Sequence, residues 1–230
     1  MGVSHRSVLA IGAHPTDIEY FASGALARMA REGSQICLVV CTDGAHGFPA
    51  GPALAEARRE EAMKAARVLG VEQVVMLDHP DGGLESVDLL RRALVQQIRL
   101  WRAELVLCHD PTTHWRCAGS YVRLGHSDHR AAGQATLDAI HPRAAVRSYY
   151  PELAEQGMAP WLVREVWLFD TARPDHFVDV SHTRELKHAA LGCHVSQLPI
   201  SLIEESDEEA EAWRAQSGHP AEAFRRLILV

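Results

Sequence analysis

No stretch of this sequence stays apolar for the ~18 residues that a bilayer-spanning helix needs, so a membrane protein is not expected. The opening residues, 1–6, hold no apolar signal core and lead almost directly into a strand-like run, which makes a cytoplasmic location the expectation. A basic excess is also lacking. Lys and Arg number 23 against 30 Asp and Glu, a formal net charge of -7, which argues against a nucleic-acid partner or an anionic membrane surface. Cysteine is poorly placed for either cross-linking or zinc: there are five, an odd number, and no CxxC spacing. Cys37, Cys41 and Cys108 sit in apolar runs and read as buried free thiols, whereas Cys117 and Cys193 stand alone. The first loop has one glycine, Gly12, and no GxGxxG, so dinucleotide binding is poorly supported. Ser4 and Ser127 lack a nucleophile-elbow context, which argues against serine hydrolase chemistry.

What is present suits one well-buried domain over residues 1–230, with an acidic, solvated helical tail from about 204. No internal repeat, low-complexity linker or domain boundary interrupts it. Fourteen histidines are a high count. They favour a metal-binding enzyme, yet they make any single histidine weak evidence.

Strand-like and helix-like patterns alternate along the chain. Residues 7–11 (SVLAI) lead into Gly12-Ala13-His14-Pro15, and from 17 to 31 Phe21, Leu26 and Met29 recur at helical spacing until Gly33. Residues 35–41 (QICLVVC) read as a buried strand before the turn Thr42-Asp43-Gly44. A helix over 53–69, a strand over 73–77, a turn at Pro80-Asp81-Gly82-Gly83, a helix over 86–102 and a strand over 105–109 follow. Later come helices over 127–140 and 183–197 and strands over 163–169 and 177–180. Such alternation predicts an α/β fold of three layers: a Rossmann-like, mainly parallel sheet with helices on both faces. Ligands in these folds bind beyond the carboxyl ends of the strands, which places loops 14–19, 43–47, 79–83 and 109–129 on one rim.

Two clusters on that rim carry metal-ligand chemistry. In Ala13-His14-Pro15-Thr16-Asp17-Ile18-Glu19, an imidazole and a carboxylate three residues apart can point at one ion. The alternative is that Asp17 caps the helix behind it. In Gly125-His126-Ser127-Asp128-His129, two histidines within one turn can face the same site; the alternative is a polar helix start. Together the clusters offer two His and one Asp, a donor set suited to zinc that leaves a coordination position open for water.

These segments resemble the LmbE/PIG-L family of zinc N-deacetylases, whose first motif is AHP-D-D-x-E and whose second is H-P-D-H. The likeness runs over roughly 7–197. It takes in Arg58 and Glu61 with Leu69-Gly70, the loop 77–84 (LDHPDGGL), and Asp179, Lys187 and 194–197 (HVSQ). The resemblance implies that His14, Asp17 and His129 bind zinc. It implies that His126 stabilises the tetrahedral intermediate or protonates the leaving amine, and that Asp128 orients a histidine. Arg58 and Asp81 are implied as substrate contacts, although Arg58 equally reads as a surface arginine paired with Glu61 or Glu56. The implied substrate is a small N-acetylated amino sugar or a conjugate of one.

Position 16 departs from the family pattern. Thr16 stands where the resemblance implies an aspartate acting as general base, and a hydroxyl cannot accept a proton near neutral pH. Three readings follow: Asp43, Asp81 or His126 takes over as base; the aspartate has been replaced on purpose, to trap substrate; or activity is weakened or lost, the alternative function being a zinc-containing binding protein without turnover. His46, His79, His109 and His114 read as hydrogen-bonded rim histidines. Trp101, Trp161 and Trp167 read as core or subunit contacts, leaving a homo-oligomer open.

Overall fold

The computed structural model describes residues 5–71, 73–118, 121–197 and 199–230. Its chain begins with alternating strands and helices: β1 (Ser7–Gly12), α1 (Asp17–Arg31), β2 (Gln35–Thr42), α2 (Pro52–Val68), β3 (Gln73–His79), α3 (Asp88–Trp101) and β4 (Leu105–His109). Strands β1, β2 and β4 are continuous apolar runs because both faces of each are covered, whereas β3 lies at the sheet edge and is only partly buried. Along β1, Val8 and Ala10 join one core layer with Leu26 of α1 and Ala65 of α2, while Leu9 and Ile11 join another with Leu94 and Ile98 of α3. Side chains alternate across a strand, so one sequence run feeds both layers.

The second half is less regular. It contains an antiparallel hairpin, β5 (Trp115–Ala118) and β6 (Tyr121–Leu124), then α4 (Ser127–Asp138), which runs into a π turn over Ala139–Ala144. Then come α5 (Pro151–Glu155), β7 (Glu165–Phe169), β8 (His176–Asp179), α6 (Arg184–Leu191), a 3-10 turn over Val195–Gln197, α7 (Pro199–Ala212), α8 (Arg214–Ser217) and β9 (Ala221–Ile228). The sheet order is β3-β2-β1-β4-β7-β9-β8. Strands β1 to β4 and β7 pair in parallel, and β9 runs antiparallel to both β7 and β8.

The α/β fold expected from the pattern is present, with corrections near its end. The helix expected over 183–197 stops at Leu191, and the chain resumes as a short turn at Val195. The acidic stretch from 204 is helical but is not a solvated tail. Ser206 and Ala210 of α7 are buried, Glu205 and Glu209 pair with Arg123 and Arg116 of the hairpin, and Asp207 pairs with Arg184. The chain then enters the sheet as β9.

Cys37, Cys41 and Cys108 are buried free thiols as expected, and Cys193 is free and half-buried. The side chain of Cys117 lies outside the described residues. Trp167 is in the core; Trp101 and Trp161 pack against it, with Trp161 Nε1 donating to the Ala103 carbonyl at 2.8 Å. Among the described residues, no helix is long and apolar enough to cross a membrane.

Candidate metal centre

The carboxyl ends of β1, β4 and β7 converge on one point of the rim. Beyond β1 the chain turns at His14, and Asp17 closes the turn: its Oδ2 accepts the His14 backbone N–H at 2.7 Å. The carboxylate thus folds back over the loop, and α1 has no side-chain cap. The capping alternative for Asp17 is therefore set aside. From the other side α4 brings His126 as its N-cap residue, with Asp128 and His129 in its first turn. Gly133 lets this helix press onto the end of β4, since a Cβ there would lie 2.3 Å from the His109 carbonyl oxygen. His129 consequently stacks on His109, with ring centroids 4.0 Å apart.

Asp17 lies at the centre of the cluster. Its Oδ1 is 3.4 Å from His129 Nε2, and its Oδ2 is 3.4 Å from His14 Nδ1 and 3.0 Å from His109 Nε2. The outer nitrogens of His14 and His129 each meet another carboxylate. His14 Nε2 faces Asp128 Oδ2 at 3.3 Å and Asp81 Oδ1 at 3.2 Å, and His129 Nδ1 faces Asp170 Oδ2 at 3.0 Å. Carboxylate–imidazole pairs of this kind fix which nitrogen is left for a metal. The donor atoms of His14, His126 and His129 lie within 4.8 Å of one another, as do those of Asp17, His109 and His129.

The electrostatics call for a cation. Burial opposes the charged form of His14, but Asp17, Asp128 and Asp81 outweigh it and push its pKa up to about 12. Burial likewise opposes charge on His129, and Asp17 and Asp170 raise it to about 9. Burial resists ionisation of Asp17, yet His129, His14 and His109 hold it well below the usual carboxylate range. His109 moves the other way: burial and the neighbouring His129 bring it down to about 4, so it is neutral. Without a metal, two imidazolium ions offset half of the charge of the four carboxylates Asp17, Asp81, Asp128 and Asp170. A divalent cation supplies the same charge and leaves His14 and His129 neutral, as ligation requires. The two-imidazole, one-carboxylate set fits zinc in type and number.

Thr16 is buried at the rim with φ 99, a left-handed conformation that a β-branched residue rarely adopts. Its hydroxyl engages the Pro15 carbonyl and Gln197 Oε1, and Gln197 Nε2 also donates to the Pro15 carbonyl at 3.1 Å. The side chain is thus held by the closing segment and offers no basic atom.

The other carboxylates differ in how far they are engaged. Asp43 Oδ1 accepts the Ala45 and Asp81 backbone N–H groups and shapes a turn. Asp128 accepts the N–H groups of Gly82 and Leu84 besides facing His14, so the histidine it orients is His14. Gly82 is required in that turn: φ is 82, and a Cβ would lie 2.7 Å from His46 Nδ1. Asp81 takes only the His46 N–H on Oδ2, leaving Oδ1 beside His14. Arg58 is not a surface residue paired with Glu61 or Glu56. It is buried, donates to the Gly44 and His46 carbonyls, and comes within 3.8 Å of Asp81 Oδ2. Glu61 instead accepts from Ser196.

His126 is half exposed, and its Nδ1 accepts the Asp128 backbone N–H at 3.1 Å. In the neutral ring the proton therefore sits on Nε2. Sequence reasoning missed Asp170 altogether and undervalued His109. Their signal was position alone, at the carboxyl ends of β7 and β4. His46, His79 and His114 fall in none of the metal-ligand groups among the described residues.

Comparison with known proteins decides the family. The model of PIG-L, described as GlcNAc-PI de-N-acetylase, matches residues 9–140, more than half of the chain. The chain belongs to the PIG-L family. The diacetylchitobiose deacetylase of Thermococcus kodakarensis is 30% identical over 203 residues, covering 86% of this chain and 73% of that protein. Among solved structures, N,N'-diacetylchitobiose deacetylase from Pyrococcus horikoshii superposes with a TM-score of 0.86 at 26% identity, covering 97% of this chain and 84% of that one. GalB of Pseudomonas putida KT2440, a 4-carboxy-2-hydroxymuconate hydratase, superposes with a TM-score of 0.79 at 25% identity, covering 98% and 97%. This PIG-L chain thus shares its scaffold with deacetylases and with a hydratase.

Proposed function

We propose that this protein is a metal-dependent deacetylase that hydrolyses the N-acetyl amide of an amino sugar or a sugar conjugate, with zinc held by His14, Asp17 and His129. The observation that carries the reading is the convergence of these three side chains, two of them backed by carboxylates, in a chain of the PIG-L family. A zinc ion held there supplies a Lewis acid for the acyl oxygen and lowers the pKa of water. The relatives named for deacetylation of N-acetylated sugars supply the substrate class.

The chain's own residues divide the remaining work. His126 carries its proton on Nε2 and opens onto a cleft lined by Phe21, Thr113, Leu124 and Gly125. It donates to the oxygen that gains negative charge as water attacks, and then to the departing amine. Of the candidates Asp43, Asp81 and His126, Asp81 is the one whose Oδ1 meets no backbone N–H; it faces His14 Nε2 at 3.2 Å, and it is the group we assign to accept the proton of the attacking water in place of the missing aspartate. Asp81, Asp128 and Asp170 hold His14 and His129 in place.

A second reading has one observation in its favour. Thr16 is locked against Pro15 and Gln197, and loss of a general base typically costs ~10²–10⁴-fold. A zinc-containing binding protein without turnover would keep every other feature of the site. Acetate release from a panel of N-acetylated amino sugars, with metal content measured on the same samples, tests the first reading against the second.

A further inference from the structure

Helix α7 packs beside the metal centre and is held there mainly by ion pairs. Among the described residues its buried positions are Ser206 and Ala210, both small. Asp207 pairs with Arg184 at 2.7 Å and with His188 at 2.8 Å, and Glu205 meets Arg123 at 3.2 Å. An element with so little apolar burial belongs to the low end of local stability.

Glu209 differs from these outward pairs, because its partners lead to the metal ligands. Its Oε1 accepts from Arg116 Nη1 at 2.6 Å, and the same guanidinium turns its Nε to Asp170 Oδ1 at 3.0 Å. Asp170 Oδ2 in turn faces His129 Nδ1 at 3.0 Å. The other oxygen of Glu209 accepts the Tyr20 hydroxyl at 3.3 Å, and Tyr20 lies on α1, one turn after Asp17. One carboxylate thus braces both the hairpin that carries Arg116 and the helix that begins with Asp17. Asp170, Arg116, Ser206 and Glu209 also line one cavity of about 20 Å³ against α7. Arg116 is the more sheltered of the hairpin's two paired arginines, its side chain 21% exposed against 60% for Arg123, so salt screens its pairs less.

We propose that α7 is a strap coupled to the metal centre, in which Glu209 is a positioning residue that fixes His129 through Arg116 and Asp170. The proposal rests on zinc binding at His14, Asp17 and His129, and adds control of that site by a segment that does not touch it. Arg116 is fixed by two carboxylates, and Asp170 holds the ring whose Nε2 faces Asp17. With Glu209 uncharged, the guanidinium keeps one of its two anchors, and the orientation of His129 loosens with it. Coupling of this kind is reciprocal, so zinc binding also steadies α7.

The test is chelator competition for zinc on the full chain, with hydrogen–deuterium exchange of residues 199–212 followed in the zinc-free and zinc-loaded forms. Glu209→Gln keeps the size of the side chain and removes its charge. It should weaken zinc binding ~3–10-fold, less than the ~10–100-fold typical of losing a carboxylate that touches a ligand. Glu205→Gln breaks an ion pair of the same helix that does not reach Asp170, and should leave zinc affinity unchanged. The visible absorption of the cobalt-loaded protein should change in Glu209→Gln and not in Glu205→Gln, a difference that loosening of α7 alone does not produce. In the parent, which needs no substitution, zinc should slow exchange in 199–212 by about threefold or more. Equal zinc affinity in Glu209→Gln and the parent, an equal fall in Glu205→Gln, or exchange of α7 that ignores zinc would overturn the proposal. A parent that binds no zinc would overturn the metal assignment along with it. The expected pattern without acetate release from N,N'-diacetylchitobiose would keep the strap and overturn the deacetylase.

Discussion

His129 Nδ1 lies 3.0 Å from Asp170 Oδ2, and this contact turns Nε2 of the same ring toward Asp17 Oδ1, 3.4 Å away. Asp170 is held in turn by Arg116. Removing such a carboxylate partner typically weakens metal binding 10–100-fold. Asp170→Asn should therefore lower zinc affinity by about that factor in a chelator competition, with the fold intact by circular dichroism. Unchanged affinity would mean that Asp170 does not orient a ligand.

The ligands and the proton donor should separate cleanly by substitution. The parent protein should hold about one zinc per chain. Elemental analysis of Asp17→Ala and His129→Ala should show most of it gone. His126→Ala should keep its zinc and lose kcat by ~10²-fold or more, because its role lies in the transition state. If His126→Ala lost metal and His129→Ala did not, the two roles would be exchanged.

The carboxylate that replaces the missing base is also testable. Asp43 is occupied by two backbone N–H groups and His126 carries its proton on Nε2, which leaves Asp81. Asp81→Asn should abolish most turnover, and Asp43→Asn should instead lower the melting temperature. Full activity in Asp81→Asn would remove it from the mechanism.

Away from the metal centre, acid stability should depend on Glu165. Burial opposes its charge, but hydrogen bonds from Arg226, Trp167 and His5 outweigh that and depress its pKa below the ordinary 4.5. A folded-state pKa below the unfolded one adds stability at pH values above 4.5, and this is lost as pH falls through the depressed value. Glu165→Gln should therefore be less stable than the parent at pH 7, and the gap should narrow toward pH 3. Melting curves across that range check it; a constant gap would contradict the assignment.

Much of this was legible in the sequence, for identifiable reasons. Strands β1, β2 and β4 are buried on both faces, so their apolar runs stand out, and the glycines after α1 and α2 mark where those helices end. His14 with Asp17, and His126 with His129, are local pairs whose spacing carries the geometry. Asp170 is a lone aspartate that reaches the site only through the pairing of β7 with β4. Strand β9 was hidden because its pattern is interrupted. Glu222 is buried there against Lys187 and the N–H groups of Gly24 and Ala25, and Arg225 and Arg226 are partly exposed. The reach of α7 over the hairpin depends on ion pairs between residues some 80 to 90 positions apart, which no local pattern encodes.

The central claim is that this is a metal-dependent deacetylase altered at its base position, and Thr16→Asp tests it most directly. Aspartate adopts the left-handed conformation of position 16 more readily than threonine, so the variant should melt no lower than the parent. Acetate release from N,N'-diacetylchitobiose should be measured for both forms at matched zinc content. The account predicts slow release by the parent, carried by Asp81, and a higher kcat in Thr16→Asp, the gain staying below the ~10²–10⁴-fold that a base supplies where none acts. No release by either form, with zinc present in both, would contradict it.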